Sequence, residues 1–504
     1  MNTAMKELKK VGRELTLLMN TAALLGWDQE TLIPEKAIPE RAEQLALMEG
    51  ISHAKLTDPK VGDLLDKLGA DEKSSSGNEN LSDEDRAYIR VFYRNYHRAS
   101  CLPSDLVEEM ARASSLGQSV WVQARKENDF GKFAPALEKI LGLNREAGRL
   151  INVGDHPYDS FLDEYEPGMR KAELDVTFGA LKEDLKSLVK RIKDAGQVEM
   201  GFLKRDYPEE LQEKFGNYIL KELAYPLDRG RLDVSTHPFT TTLGNHDVRI
   251  TTRYGEPNPF SSLFSIIHEA GHGLYELGFS DEIAGNILAE GTSLGLHESQ
   301  SRTWENMIGR SLPFWEKYYP EAQKTYGNAL SDISLETFYK GINAVKPSLI
   351  RVDADEVTYS LHVILRYELE TALFEGTLSV NDLPAAWNAK MEELLGIRPD
   401  SDANGVLQDV HWSVGLLGYF PTYALGNLYG AQFMDKAYKD VPDLDDQVRK
   451  GNHAVLLEWL RENIHKHGSA FTASELCVNV TGKPLDASYF TQYLNKKYGE
   501  VYGL

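Results

Sequence analysis

Apolar residues recur at helical spacing along most of this chain, and that periodicity limits the fold more than any other feature. Leu8, Val11, Leu15, Leu18 and Ala22 mark one such face, and comparable faces run near 133–150, 179–192, 356–375 and 453–463. Runs of alternating β-branched residues are scarce. The clearest is Asp247-Val248-Arg249-Ile250-Thr251-Thr252-Arg253-Tyr254, set between a Gly244-Asn245 turn signal and Gly255. The pattern predicts a mainly helical protein with one small β element. With 504 residues, 42% of them apolar, the chain can bury a large core. It shows no repeat of solenoid period and no Pro/Gly-rich linker. This predicts a single domain over residues 1–504, with the N-terminal helices as a separate layer. Segment 71–80 reads as an exposed low-complexity loop.

Charge narrows the partners. Lys and Arg total 55 against 77 Asp and Glu, a net charge of −22. Nucleic acid and anionic membranes need a cationic face, so neither is expected as a partner. An anionic ligand would have to be caught by a few local guanidinium or ammonium groups. Cys101 and Cys477 are too few for a disulfide framework or a thiolate metal cluster. The first ten residues lack the apolar core of a signal peptide, and no stretch approaches the ~18 apolar residues of a membrane span. A cytoplasmic location is the expectation.

The chemistry is carried by His268-Glu269-Ala270-Gly271-His272. Histidines at i and i+4 share one helix face, which suits two imidazoles on one zinc ion. Glu269 is turned by roughly 100° and can reach a water at the open position as general base. Asn258-Pro259 suit a helix start and Gly278 follows its end, so the spacing predicts a helix over 258–277 with Asn258 as N-cap. Its apolar stripe is Leu263, Ile266, Ala270, Leu274 and Leu277. A second helix near 288–308, returning after a connection at 279–287, would bring Glu298 level with the histidines as third ligand. Two satisfied core histidines and a surface Glu298 are the bland alternatives. They sit poorly with a glutamate between the histidines.

Beyond this motif the sequence resembles the carboxypeptidase Taq family of zinc-dependent thermostable carboxypeptidases. The resemblance is carried in order by His237-Pro238-Phe239, Asp247-Val248-Arg249-Ile250-Thr251, the His268–His272 motif and His297-Glu298-Ser299-Gln300. Ile350-Arg351-Val352-Asp353-Ala354-Asp355 and Gly405-Val406-Leu407-Gln408-Asp409-Val410-His411-Trp412 follow. Leu25-Gly26-Trp27-Asp28, Tyr165-Glu166-Pro167-Gly168-Met169 and Gly418-Tyr419-Phe420-Pro421-Thr422-Tyr423 extend it across nearly the whole chain. It implies a helical fold similar to neurolysin and angiotensin-converting enzyme, with a deep cleft. It implies zinc, replaceable by cobalt or manganese, on His268, His272 and Glu298, with Glu269 as base. It also implies homodimers that release single C-terminal residues from peptides, with broad tolerance and Pro excluded. One departure is that Arg302 stands four residues after Glu298, where related zincins often carry an acid that supports a ligand histidine.

The remaining candidates each have a structural alternative. Asp353 and Glu356 read as a capping box opening a helix to about 375, with Arg351 just before it. That setting suits a peptide carboxylate, or a structural pair with Asp353 or Asp355. Arg249 faces opposite to Val248 and Ile250, either lining the cleft or solvated. His237, held extended by Pro238, binds substrate or shapes a turn. His411, Tyr419 and Tyr423 are donors for a developing oxyanion, although Pro421 argues against a regular helix there. Two rivals to a metallocarboxypeptidase stand: a zinc oligopeptidase or dipeptidase cutting away from the C-terminus, and a non-catalytic helical scaffold.

Overall fold

The computed structural model describes residues 3–71, 76–78, 80–255 and 257–504. The loop expected at 71–80 lies partly outside the described residues; those described within it form turns or irregular backbone. The protein is mainly helical, as the periodicity implies. The five apolar faces lie on α1 (Thr3–Thr31), α3 (Phe130–Ile151), α4 (Lys171–Ala195), α7 (Glu356–Glu375) and α9 (Ala454–Asn463). Between α1 and α3, α2 (Ile38–Leu56) folds back along α1.

Among the described residues there is one sheet of three strands, β1 (Gly230–Val234), β2 (Thr240–Gly244) and β3 (Asp247–Thr252), in the order β1-β3-β2. β1 pairs parallel with β3, with Leu232 opposite Ile250, and β2 pairs antiparallel, with Thr240 opposite Ile250. The alternation expected of β3 is present: Val248 and Ile250 are wholly buried while Arg249 points the other way. The strand ends at Thr252, short of Tyr254.

Against β2 and β3 lies α5 (Ser261–Glu276), followed by α6 (Leu294–Arg302) and a π-helical turn over Thr303–Ile308. α6 packs most extensively on α8 (Pro421–Asp440). Glycines make these contacts possible. A Cβ at Gly271 of α5 would lie 2.7 Å from Ser301 Cα, and one at Gly426 of α8 would lie 2.5 Å from Glu298 Cγ. The three helices therefore meet almost backbone to backbone, with Glu298 held between the other two. Among the described residues, no helix is long and apolar enough to cross a membrane.

Candidate active site

α5 sets the two histidines. Its stripe of Leu263, Ile266, Ala270, Leu274 and Leu277 is buried, which fixes the rotation of the helix. The helix starts later than expected: Asn258 is not the N-cap, because its carbonyl and side-chain oxygens accept from Ser261 N and Phe260 N in a turn before it. The returning helix is also shorter than 288–308. Gly278–Leu288 and beyond run as turns, and Ser293 caps α6 by accepting from Leu296 N at 2.9 Å.

The structure brings His268, His272 and Glu298 together, one donor atom from each lying within 4.8 Å of the others. Glu298 Oε2 lies 3.6 Å from His268 Nε2 and 3.4 Å from His272 Nε2. Zinc–ligand bonds of about 2.0–2.1 Å in a tetrahedron separate neighbouring ligand atoms by roughly 3.3 Å. Two imidazole nitrogens and one carboxylate oxygen at this spacing fit a small first-row divalent ion. Burial drives His272 down to about 3, so its ring is neutral. Burial alone would raise the Glu298 carboxyl, but Arg302 and the histidines hold it well below the usual range.

The support for these groups comes from residues to which the sequence assigned no such role. His268 Nδ1 donates to Glu305 Oε2 at 2.9 Å. Arg302 donates from Nε to Glu298 Oε1 at 2.7 Å and from Nη1 to Glu305 at 3.2 Å, and Arg310 reaches Glu305 Oε1 at 3.3 Å. The acid absent at position 302 thus stands at 305, in the π-helical turn that follows α6. On the other side, His272 Nδ1 lies 2.5 Å from His297 Nδ1, whose Nε2 lies 2.7 Å from Glu276 Oε1. Glu276, four residues after His272 on α5, was the one legible signal.

Glu269 is buried beside this group, and its Oε2 accepts from Thr240 Oγ1 at 2.6 Å. Burial pushes its carboxyl up, opposed by His268 and Thr240. Arg351 is also buried, but its partner is neither Asp353 nor Asp355. Its Nε donates to Asp409 Oδ1 at 3.0 Å and its Nη1 to Tyr359 OH at 3.0 Å. Asp409 also binds Arg366 at 2.7 Å. Arg302 stacks on Tyr359 at 4.6 Å, which links the Arg351 cluster to Glu298. Asp353 lies in a 3-10 turn, and the N-cap of α7 is Asp355, accepting from Val357 N and Thr358 N. Pro421 occupies the first turn of α8 and does not break it, so Tyr419 precedes the helix and Tyr423 lies within it.

His411 packs on Phe420 at 4.4 Å and Tyr419 at 5.4 Å, with Nε2 3.4 Å from Tyr423 OH. Burial lowers it to about 4 and pushes both phenols up. Tyr423 also lies under the Arg351 guanidinium, at 4.8 Å. Arg351, His411, Tyr419 and Tyr423 thus form one cluster around Phe420. Arg249 is held elsewhere, paired with Asp247 at 2.8 Å over the Trp27 ring at 4.2 Å. His237 is exposed in the β1–β2 connection, its carbonyl accepting from Ser235 Oγ.

The sequence model of the carboxypeptidase Taq (M32) metallopeptidases matches residues 7–498. The chain belongs to that family. Thermostable carboxypeptidase 1 of Thermus thermophilus is 44% identical to it, and carboxypeptidase 1 of Bacillus subtilis 37% identical, each alignment covering 99% of both chains. Among solved structures, the M32 carboxypeptidase of Deinococcus radiodurans superposes with a TM-score of 0.95 at 40% identity, covering 100% of both chains. The Pyrococcus furiosus carboxypeptidase gives 0.94 at 39% identity, covering 99% of each. The protein is a metallocarboxypeptidase, a peptide hydrolase that requires a divalent metal.

Proposed function

We propose that this metallocarboxypeptidase uses zinc held by His268, His272 and Glu298, and releases single C-terminal residues from peptides. The observation that carries the reading is the convergence of three ligand atoms within 4.8 Å of one another beside a buried glutamate. A divalent ion bound there supplies Lewis acidity toward water and the scissile carbonyl. The protein's own groups do the rest. Glu269, oriented by Thr240, accepts the proton of the attacking water and passes it to the leaving amine. His411, neutral above about pH 4, and the protonated phenols of Tyr419 and Tyr423 are donors for the carbonyl oxygen as it gains charge.

Arg351 reads the terminal carboxylate. Asp409 and Tyr359 occupy part of its fork and fix its plane, leaving N–H groups for substrate. Arg249 and His237, on the sheet side, would contact substrate further along. Broad tolerance with Pro excluded, a single catalytic domain over residues 1–504, a homodimer and a cytoplasmic location complete the proposal, on family resemblance.

The test is one peptide in free-acid and amidated forms. Arg351→Ala should lower kcat/KM on the free acid by ~10-fold to more than 100-fold, the range for losing a charge-assisted bond of roughly 1.5–3 kcal/mol. Zinc content should not change, and the variant should discriminate far less against the amide. Equal discrimination by both proteins would remove Arg351 from this role.

A further inference from the structure

We propose that Glu276 and His297 are positioning residues that fix the tautomer of His272, and so aim its Nε2 lone pair into the metal site. The inference rests on the reading that His272 is a ligand, and asks what holds its ring in the competent form. A neutral imidazole carries one N–H, and only the bare nitrogen can ligate. His268 has the common solution, a carboxylate, Glu305, directly on its Nδ1. His272 has no carboxylate there. Its Nδ1 meets another imidazole nitrogen, His297 Nδ1, at 2.5 Å.

Two nitrogens at that distance share one hydrogen, and which ring supplies it is decided one step further out. His297 Nε2 faces Glu276 Oε1 at 2.7 Å. An ionised carboxylate only accepts, so Nε2 must carry the hydrogen of His297. His297 Nδ1 is then bare, His272 Nδ1 must donate to it, and His272 Nε2 is left free toward Glu298 Oε2, 3.4 Å away. A single carboxylate thus settles the hydrogens of two rings in series.

The surroundings hold the relay in place. Thr242 Oγ1 donates to Glu276 Oε2 at 3.1 Å, which turns Oε1 toward His297. The His297 ring lies edge-on to Tyr275 at 5.1 Å. Gly291 also lies against it, where a Cβ would come within 2.7 Å of His297 Cδ2. The ring is therefore packed on these sides and held by hydrogen bonds at both nitrogens. Its place in the sequence, one residue before Glu298, couples the relay to the third ligand.

The test measures zinc affinity by chelator competition, with long-range 1H–15N spectra of the imidazoles in the metal-free protein. His297→Ala and Glu276→Ala should each weaken zinc binding by ~10-fold to 100-fold, the usual cost of losing an outer partner of a ligand histidine. The double variant should be no weaker than His297→Ala, because both act through one hydrogen. Glu276→Gln should recover most of the affinity, since its amide oxygen accepts the same Nε2–H; where an alanine variant does not fold, the tautomer of His272 in the parent spectrum decides. The parent spectrum should show His272 protonated at Nδ1. Parent-like affinity in both alanine variants, additive losses in the double, or His272 protonated at Nε2 in the parent would each overturn the relay. A parent that binds no zinc, or a His268→Ala variant that binds it normally, would instead overturn the metal-site reading.

Discussion

At the scale of single residues, the division of labour around the metal site can be separated by substitution. Glu269→Gln keeps the shape and the contact with Thr240 but cannot take a proton. Zinc binding should stay normal while kcat falls by ~10²-fold or more, as general-base catalysis generally supplies that much; metal analysis alongside turnover checks it. Zinc and activity lost together would make Glu269 a structural support. The sequence pointed to the two histidines that the structure brings together with Glu298, because spacing within one helix is a local property. Among those that face these groups, it marked His297 and Arg302 without giving either its role. Glu305 is invisible because a π-helical turn and two arginines bring it to His268. Asp409 was recognisable as part of a motif, yet its pairing with Arg351 across 58 residues follows only from the fold. The sequence offered Asp353 and Asp355 instead because they were near.

Elements raise a different question, namely how three helices hold Glu298 in place beside the histidines. The glycine seam answers it. Gly271→Ala would press a methyl onto the backbone of α6 at Ser301 and Gln300, neither of which can rotate away. We expect a loss of about 1–3 kcal/mol in stability, the range for overpacking, together with weaker zinc binding. Urea unfolding and chelator competition check the two. Loss of stability with unchanged metal affinity would mean that α6 shifts without moving Glu298. Helix existence was legible because the apolar stripes are long and strongly periodic. Helix starts were not. Asn258 and Asp353 were each plausible by local chemistry, and in each case a tertiary contact or a neighbouring residue took the role, whereas Pro421, read as a breaker, opens α8. Asp355 caps α7 partly because its other oxygen also accepts from Lys346 N, nine residues back.

For the whole molecule, the fold class followed from periodicity alone, since a chain with so few alternating segments has no sheet to build a core on. The buried charges could not be foreseen, and they set how stability responds to pH. Glu370 accepts from Tyr158, Trp412 and Gly418 in the interior, yet burial pushes it up to about 7. An unfolded Glu titrates near 4.3, so between these values the native state keeps a proton that the unfolded chain releases. The contribution is fully present below about pH 4.3 and is lost as pH rises through about 7. Glu370→Gln cannot ionise but turns its amide N–H groups toward Trp412 Nε1, so it should be less stable at pH 5. That deficit should shrink by on the order of 2–3 kcal/mol by pH 8 in urea titrations. A deficit independent of pH would show that the carboxyl titrates normally. Distance from this interior has its own consequence at the N-terminal edge. α2 has no buried residue along its length, and Leu47 and Ile51 face outward. A helix so lightly attached opens on its own, well below the free energy of global unfolding. Its amides therefore exchange with solvent, and the connection at Leu32–Ala37 meets proteases, while the glycine-packed helices around the metal site are still closed.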